Sequence, residues 1–118
     1  MYFIVLLAIM TFVSATKVFT EKDQETMQII PVGETIRIEL ETNPSTGYSW
    51  KLRELDSRYF ELLQHGYMPP VKIQPGSPYT EFWEIKTIGK GFTFIYLFYN
   101  TNTCESINHD FIIAFNFI

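Results

Sequence analysis

Apolar and polar residues alternate with period two through Glu34-Thr35-Ile36-Arg37-Ile38-Glu39-Leu40-Glu41, the pattern of a strand with one face in a core and one in water. Similar short runs recur along the chain. Thr26–Ile30 reads as a first strand, closed by Pro31 and Gly33, Glu34–Glu41 as a second, and Tyr48–Arg53 as a third. Arg58–Leu63, with Tyr59-Phe60 and Leu62-Leu63, fits either a short strand or a single helical turn. Farther on, Tyr79–Thr87 alternates around Phe82, Glu84 and Lys86, Gly89-Lys90-Gly91 turns, and Phe92–Tyr99 and Asp110–Ile118 are runs rich in aromatic and β-branched residues. His65-Gly66-Tyr67-Met68-Pro69-Pro70 and Gln74-Pro75-Gly76-Ser77-Pro78 interrupt the strands and read as irregular connections. No useful length shows a 3.6-residue period. About seven short strands with turn signals roughly every ten residues predict an all-β fold, an immunoglobulin-like β-sandwich.

The first residues change the domain reading. Tyr2–Val13 is almost continuously apolar and uncharged, and Val13-Ser14-Ala15 offers the small residues of a cleavage site. The run is short for a bilayer span, so residues 1–15 are expected to be a signal peptide and the mature chain to start at Thr16. Residues 16–118 then suit one compact domain. With 9 Lys and Arg against 13 Asp and Glu, a net charge of −4, and no basic cluster, nucleic acid is an unsuitable partner. No membrane partner is expected once the signal is removed, and the domain is expected to be a monomer.

The single cysteine, Cys104, has no internal disulfide partner. Stability must then come from the core, for which 11 Phe, 7 Tyr and 2 Trp supply ample aromatic surface. Cys104 reads as a small buried or half-buried residue. Cys104, His109 and Asp110 lie close in sequence, yet nothing in the spacing sets a thiol beside a base and a third positioning group. Two His and one Cys show no metal-ligand spacing, and no cofactor-binding motif is present. The chain is not expected to be an enzyme.

One loop carries more information than the rest. In Asn43-Pro44-Ser45-Thr46-Gly47-Tyr48 a proline sets its own φ and biases Asn43 toward an extended conformation, and a glycine is free to take the positive φ that closes a tight turn. Ser45 and Thr46 between them are small and able to bond nearby backbone. Pro44 also disqualifies Asn43-Pro44-Ser45 as a glycosylation site. Tyr48 and Trp50, at alternate strand positions, read as core aromatics, as does the run Phe92–Tyr99.

This loop resembles the signature of the chagasin-type inhibitors of papain-like cysteine peptidases, Asn-Pro-Thr-Thr-Gly followed by Tyr or Phe, with Ser45 in place of a threonine. The resemblance implies a β-sandwich whose three loops form a reactive edge toward the peptidase. Asn43, Pro44, Ser45, Thr46, Gly47 and Tyr48 make the first. The second, a glycine-rich turn before a strand, matches Pro75–Tyr79, with Gly76 the residue-level match. The third is Arg-Pro-Trp or Arg-Pro-Phe in the family and falls here at Thr101, Asn102 and Thr103, so that motif is missing. The implied function is reversible, tight-binding occlusion of a cathepsin-type active-site cleft, in the secreted medium or the lumen of a lysosome- or phagosome-like compartment. The alternative is a secreted β-sandwich module for adhesion or carbohydrate binding.

Overall fold

The computed structural model describes residues 16–72, 74–101 and 106–118. The signal-peptide reading of residues 1–15 and the placement of Asn102, Thr103 and Cys104 lie outside the described residues. Eight strands form two four-stranded sheets: β1 (Lys17–Phe19), β3 (Thr35–Thr42), β6 (Tyr79–Thr87) and β5 (Phe60–Met68) in the order β1-β3-β6-β5, and β2 (Met27–Ile30), β8 (Ser106–Phe117), β7 (Gly91–Thr101) and β4 (Tyr48–Leu52) in the order β2-β8-β7-β4. The architecture is the all-β sandwich that the period-two pattern predicts. The two N-terminal strands lie parallel to their neighbours, β1 to β3 and β2 to β8, and the other pairs are antiparallel.

The core is made by alternate residues of both sheets. Ile36, Ile38 and Leu40 of β3 and Trp83 and Ile85 of β6 face Ile95 and Leu97 of β7 and Phe111, Ile113, Phe115 and Phe117 of β8, all buried. Phe115 meets Phe19 and Phe60 edge-on, at ring-centroid distances of 5.6 and 6.1 Å. Such T-shaped pairs add to the area term.

Three expectations need correction. First, β1 is an extra strand, too short to show a period in the sequence. Second, β5 continues through His65-Gly66-Tyr67-Met68, which read as an irregular connection. Two things hid it: a bulge between Leu62 and Gln64 shifts the alternation, and Gly66 looks like a breaker. Gly66 lies opposite Phe82, and a Cβ there would stand 2.9 Å from the Phe82 ring, so the glycine makes room for an aromatic laid across the strand. Third, only half of the run Phe92–Tyr99 is core. Ile95 and Leu97 take the inward positions and Tyr99 packs against the core, leaving Phe92 and Phe94 exposed on the outer face. With strict alternation, filling the core from one parity turns the other parity out.

Candidate functional site: a self-locked loop and its buried footing

Residues 43–47 cross from one sheet to the other, from the end of β3 to the start of β4. Asn43 is extended, at φ −127° and ψ 90°, as a residue before proline must be; Pro44–Thr46 form one 3-10 turn; Gly47 closes it in the left-handed region at φ 79°. No atom stands within 4 Å of where a Gly47 Cβ would be, so the backbone angle, not space, calls for glycine. The Gly47 N–H donates to the Pro44 carbonyl at 3.2 Å and the Thr46 N–H to the Asn43 carbonyl at 3.1 Å.

The side chains lock the same shape. Ser45 Oγ donates to Asn43 Oδ1 at 2.6 Å, and Thr46 Oγ1 to the Asn43 carbonyl at 2.7 Å. Both hydroxyls are thus engaged inside the loop. Pro44, Ser45, Thr46 and Gly47 are all exposed, and Asn43 and Tyr48 half-buried, which makes the tip a convex, pre-shaped surface.

Beneath the tip, a polar and aromatic footing holds both ends of the loop. The Asn43 N–H donates to the Tyr99 hydroxyl at 3.2 Å; the Tyr99 ring lies against Tyr48 (5.5 Å, stacked) and Trp50 (5.1 Å). Trp50 Nε1–H donates back to the carbonyl of Glu41 on β3 at 2.9 Å. The Trp50 backbone N–H donates to Oε1 of Glu81, a carboxylate with no exposure to solvent, at 3.1 Å. Oε2 of Glu81 lies 2.6 Å from His65 Nε2, whose ring stacks on Trp83 at 5.1 Å. Tyr67 also hydrogen-bonds Glu81. Burial first, then the Glu81 charge and this hydrogen bond, raise the Tyr67 phenol above its ordinary pKa.

The turn at 74–78 stands beside this loop. Its Ser77 N–H donates to the Gln74 carbonyl at 3.0 Å, and Gly76 takes φ 82°. The two loops are neighbours because Thr42, the last residue of β3, pairs with Tyr79, the first of β6. A cleft of about 590 Å³ runs between them, walled by Asn43, Pro44 and Ser45 on one side and Gln74, Gly76 and Ser77 on the other. Thr101 ends β7 in register with Tyr48, so the chain leaves β7 next to the exit of the first loop. The first loop and Gly76 are therefore brought together at one end of the sandwich, with the backbone of Thr101 beside them.

Reading the sequence did not place Glu81, His65 or Tyr99 beneath the loop. Glu81 did carry a signal: it is a lone acid on the parity of Trp83 and Ile85, the buried positions of an alternating strand. Trp50 is a core aromatic as expected, and Tyr48 is half-buried. Among the described residues, no group of three or more His, Cys, Asp or Glu is arranged to hold a metal ion.

Comparison with known proteins agrees with this architecture. The family model of the chagasin family peptidase inhibitors, I42, matches residues 29–114. Amoebiasin-2 of Entamoeba histolytica is 33% identical over 104 residues, covering 83% of this chain and 80% of the relative. The crystal structure of the cysteine protease inhibitor EhICP2 from Entamoeba histolytica superposes with a TM-score of 0.78 at 25% identity, over 87% of this chain and 96% of that one. PbICP-C, solved in complex with falcipain-2, shares the fold, with a TM-score of 0.63 at 20% identity over 86% of this chain and 99% of its own. These matches set aside the alternative of an adhesion or carbohydrate-binding module. With most of its length matched by the family model and 33% identity to a relative over 83% of the chain, the chain belongs to the chagasin family of peptidase inhibitors.

Proposed function

We propose that this protein is a reversible, tight-binding inhibitor of papain-like cysteine peptidases, and that Asn43–Tyr48, with Gly76 and the backbone of Thr101 beside it, is the edge that fills the substrate cleft. The observation that carries this reading is the self-locked loop. Four hydrogen bonds within residues 43–47 fix an exposed tip before any partner arrives. A loop ordered in advance loses little conformational entropy on docking, so more of the contact energy appears as affinity.

The same geometry supports inhibition without cleavage. A peptidase cuts an extended segment, whereas Pro44–Thr46 is a 3-10 turn braced at both ends by Tyr99 and Trp50. Drawing it into a strand would break those bonds. The Ser45 and Thr46 hydroxyls are occupied internally, so the tip offers the catalytic groups shape rather than a nucleophile or an acid. Occlusion is the mechanism. The site of action is the secretory route, in the medium or a lysosome- or phagosome-like lumen, a reading supported by the apolar start of the chain at Tyr2–Val13. The complex of PbICP-C with falcipain-2 is a precedent within the fold for such a partner.

Titration of residues 16–118 into papain or a cathepsin-L-like enzyme, followed with a fluorogenic substrate, tests the proposal. Stoichiometric loss of activity that recovers on dilution is the expected result. Cys104→Ser should inhibit equally well, since occlusion needs no covalent bond. Undiminished hydrolysis at a large excess of the protein over enzyme would overturn the reading.

A further inference from the structure

The outer face of the β2-β8-β7-β4 sheet is apolar where a solvated sheet face is ordinarily polar. Met27 and Ile29 on β2 are 60% and 63% exposed, Phe92 and Phe94 on β7 are 69% and 59% exposed, and Ile112 on β8, one row nearer the loops and paired with Tyr96, is exposed on the same face. Register makes these one surface. Met27 pairs with Ala114 and Ala114 with Phe94; Ile29 pairs with Asn116 and Asn116 with Phe92. No charged side chain stands in those two rows.

We infer that this face is an interface between two copies of the chain, which thereby form a dimer. Area supports a second copy. With about 200 Å² for an aromatic residue and somewhat less for Met and Ile, the exposed fractions give on the order of 500 Å² of apolar surface on each copy. Two such faces in contact remove about 1,000 Å² from water, the least a specific interface needs. Two sheets stack face to face about 10 Å apart in any sandwich, and a sheet face of this apolar kind can stack on its own likeness in the same way. Charge agrees as well. The rim nearest the loops carries Asp110 on β8 and Lys51 on β4, both next to Phe98 in the register, and a two-fold arrangement can set these opposite signs against each other.

The placement along the sheet leaves the reactive end free. Phe94 is six residues from Asn100, the residue paired with Ser49 at the foot of the loop, which at 3.3 Å per residue is about 20 Å. Each copy of the dimer therefore keeps its own loops open, and the assembly is bivalent. This departs from the monomer expected on sequence alone, where the Phe of β7 were assigned to the core.

Sedimentation velocity on the protein as purified from expressing cells, from about 1 to 300 μM, tests the inference. The expected result is a monomer-to-dimer shift in the micromolar range that moves at least tenfold toward weaker association in Phe94→Asp and, independently, in Ile29→Asn. Both variants should inhibit a peptidase as the wild type does, so failure of the dimer and failure of the inhibitory reading are separate results. A monomer at every concentration, or a dimer unmoved by both substitutions, overturns the inference. Monomer that instead cosediments with phosphatidylcholine vesicles would assign the face to a membrane surface and equally overturn it.

Discussion

Glu81 on one sheet accepts the backbone N–H of Trp50 on the other at 3.1 Å, through a carboxylate wholly removed from solvent. The bond crosses the sandwich beneath the 43–47 loop, and Trp50 in turn reaches back through its indole N–H to Glu41 on the strand that enters the loop. Entry and exit are thus held by one residue, and that residue is held by one acid. A buried carboxylate is costly to desolvate and is retained only where its oxygens are satisfied. Here Oε1 and Oε2 have Trp50 and His65, with Tyr67 as a further donor.

Removing this acid should therefore cost stability. Glu81→Ala strands the buried Trp50 N–H, takes the carboxylate from the part-exposed His65 ring and leaves a cavity, and is expected to lower stability by about 3 kcal/mol. Glu81→Gln keeps an acceptor for Trp50 and should lose about 1 kcal/mol. Urea denaturation of the two variants checks the order; equal losses would show that hydrogen bonding at this position is immaterial.

Thr46 and Gly47 sit at the exposed tip, where bulk is felt only once the loop enters a cleft. Thr46→Arg adds bulk and also removes the exposed hydroxyl bond to the Asn43 carbonyl, so it is expected to weaken inhibition at least about tenfold, roughly 1.4 kcal/mol, with a stability loss of no more than about 1 kcal/mol. Gly47→Val should weaken inhibition similarly and also cost stability, because a β-branched residue is forced to φ 79°. Inhibition constants against a peptidase that the wild type inhibits, alongside thermal melts, decide the matter. An unaltered constant for Thr46→Arg would remove this loop from the reactive edge.

Trp50→Phe separates footing from core packing. The ring volume is largely kept while the indole N–H to Glu41 is lost, so stability should fall by about 1 kcal/mol beyond the packing change. If the footing matters to binding, the inhibition constant should rise more than for a core change of similar stability cost far from the loop, such as Ile113→Val. Parallel stability and inhibition measurements on both variants test this.

Alkaline pH should destabilise the fold through two tyrosines. Tyr67 holds its proton above the ordinary value of 10.0, by burial and then the facing Glu81; Tyr96 does so chiefly through its hydrogen bond to Asp110. A pKa raised in the folded chain contributes stability that is whole below the unfolded value and is lost as pH rises through the folded one. Stability is therefore expected to decline from about pH 10 upward, and Tyr67→Phe with Tyr96→Phe to flatten that decline. Chemical denaturation at pH 8 to 11 reads it directly.

Gly66→Ala should be more damaging than an alanine in a strand ordinarily is. Its Cβ would meet the Phe82 ring at 2.9 Å, and the Arg37 guanidinium lies over that ring, 4.0 Å from its centroid. A loss of about 1 to 3 kcal/mol is expected, largely relieved in Gly66→Ala/Phe82→Leu. Thermal melts of the single and double variants measure the coupling.

Much of this protein is legible without its fold. Period-two alternation in Thr35–Thr42 and Tyr79–Thr87 announces half-buried strands, and the chemistry of Asn43-Pro44-Ser45-Thr46-Gly47 announces a stiff turn, because φ restriction by proline, permissiveness of glycine and short-range hydroxyl bonding are local properties. The strand through Gly66 and the outward phenylalanines of β7 were not legible. A bulge resets the alternation in the first case, and in the second Ile95 and Leu97 compete with Phe92 and Phe94 for the same core, a contest that only the facing sheet decides. Glu81, Trp50 and Tyr99 are far apart in sequence and become one footing through strand register, which pairs Trp50 with Tyr99, and through the packing of one sheet on the other, which brings Glu81 to Trp50. The sequence by itself determined the shape of the loop, since that shape is written in backbone torsions of consecutive residues. The tertiary structure decided what holds the loop in place and which surfaces stay open, since burial and hydrogen-bond partners depend on which strands come to lie side by side.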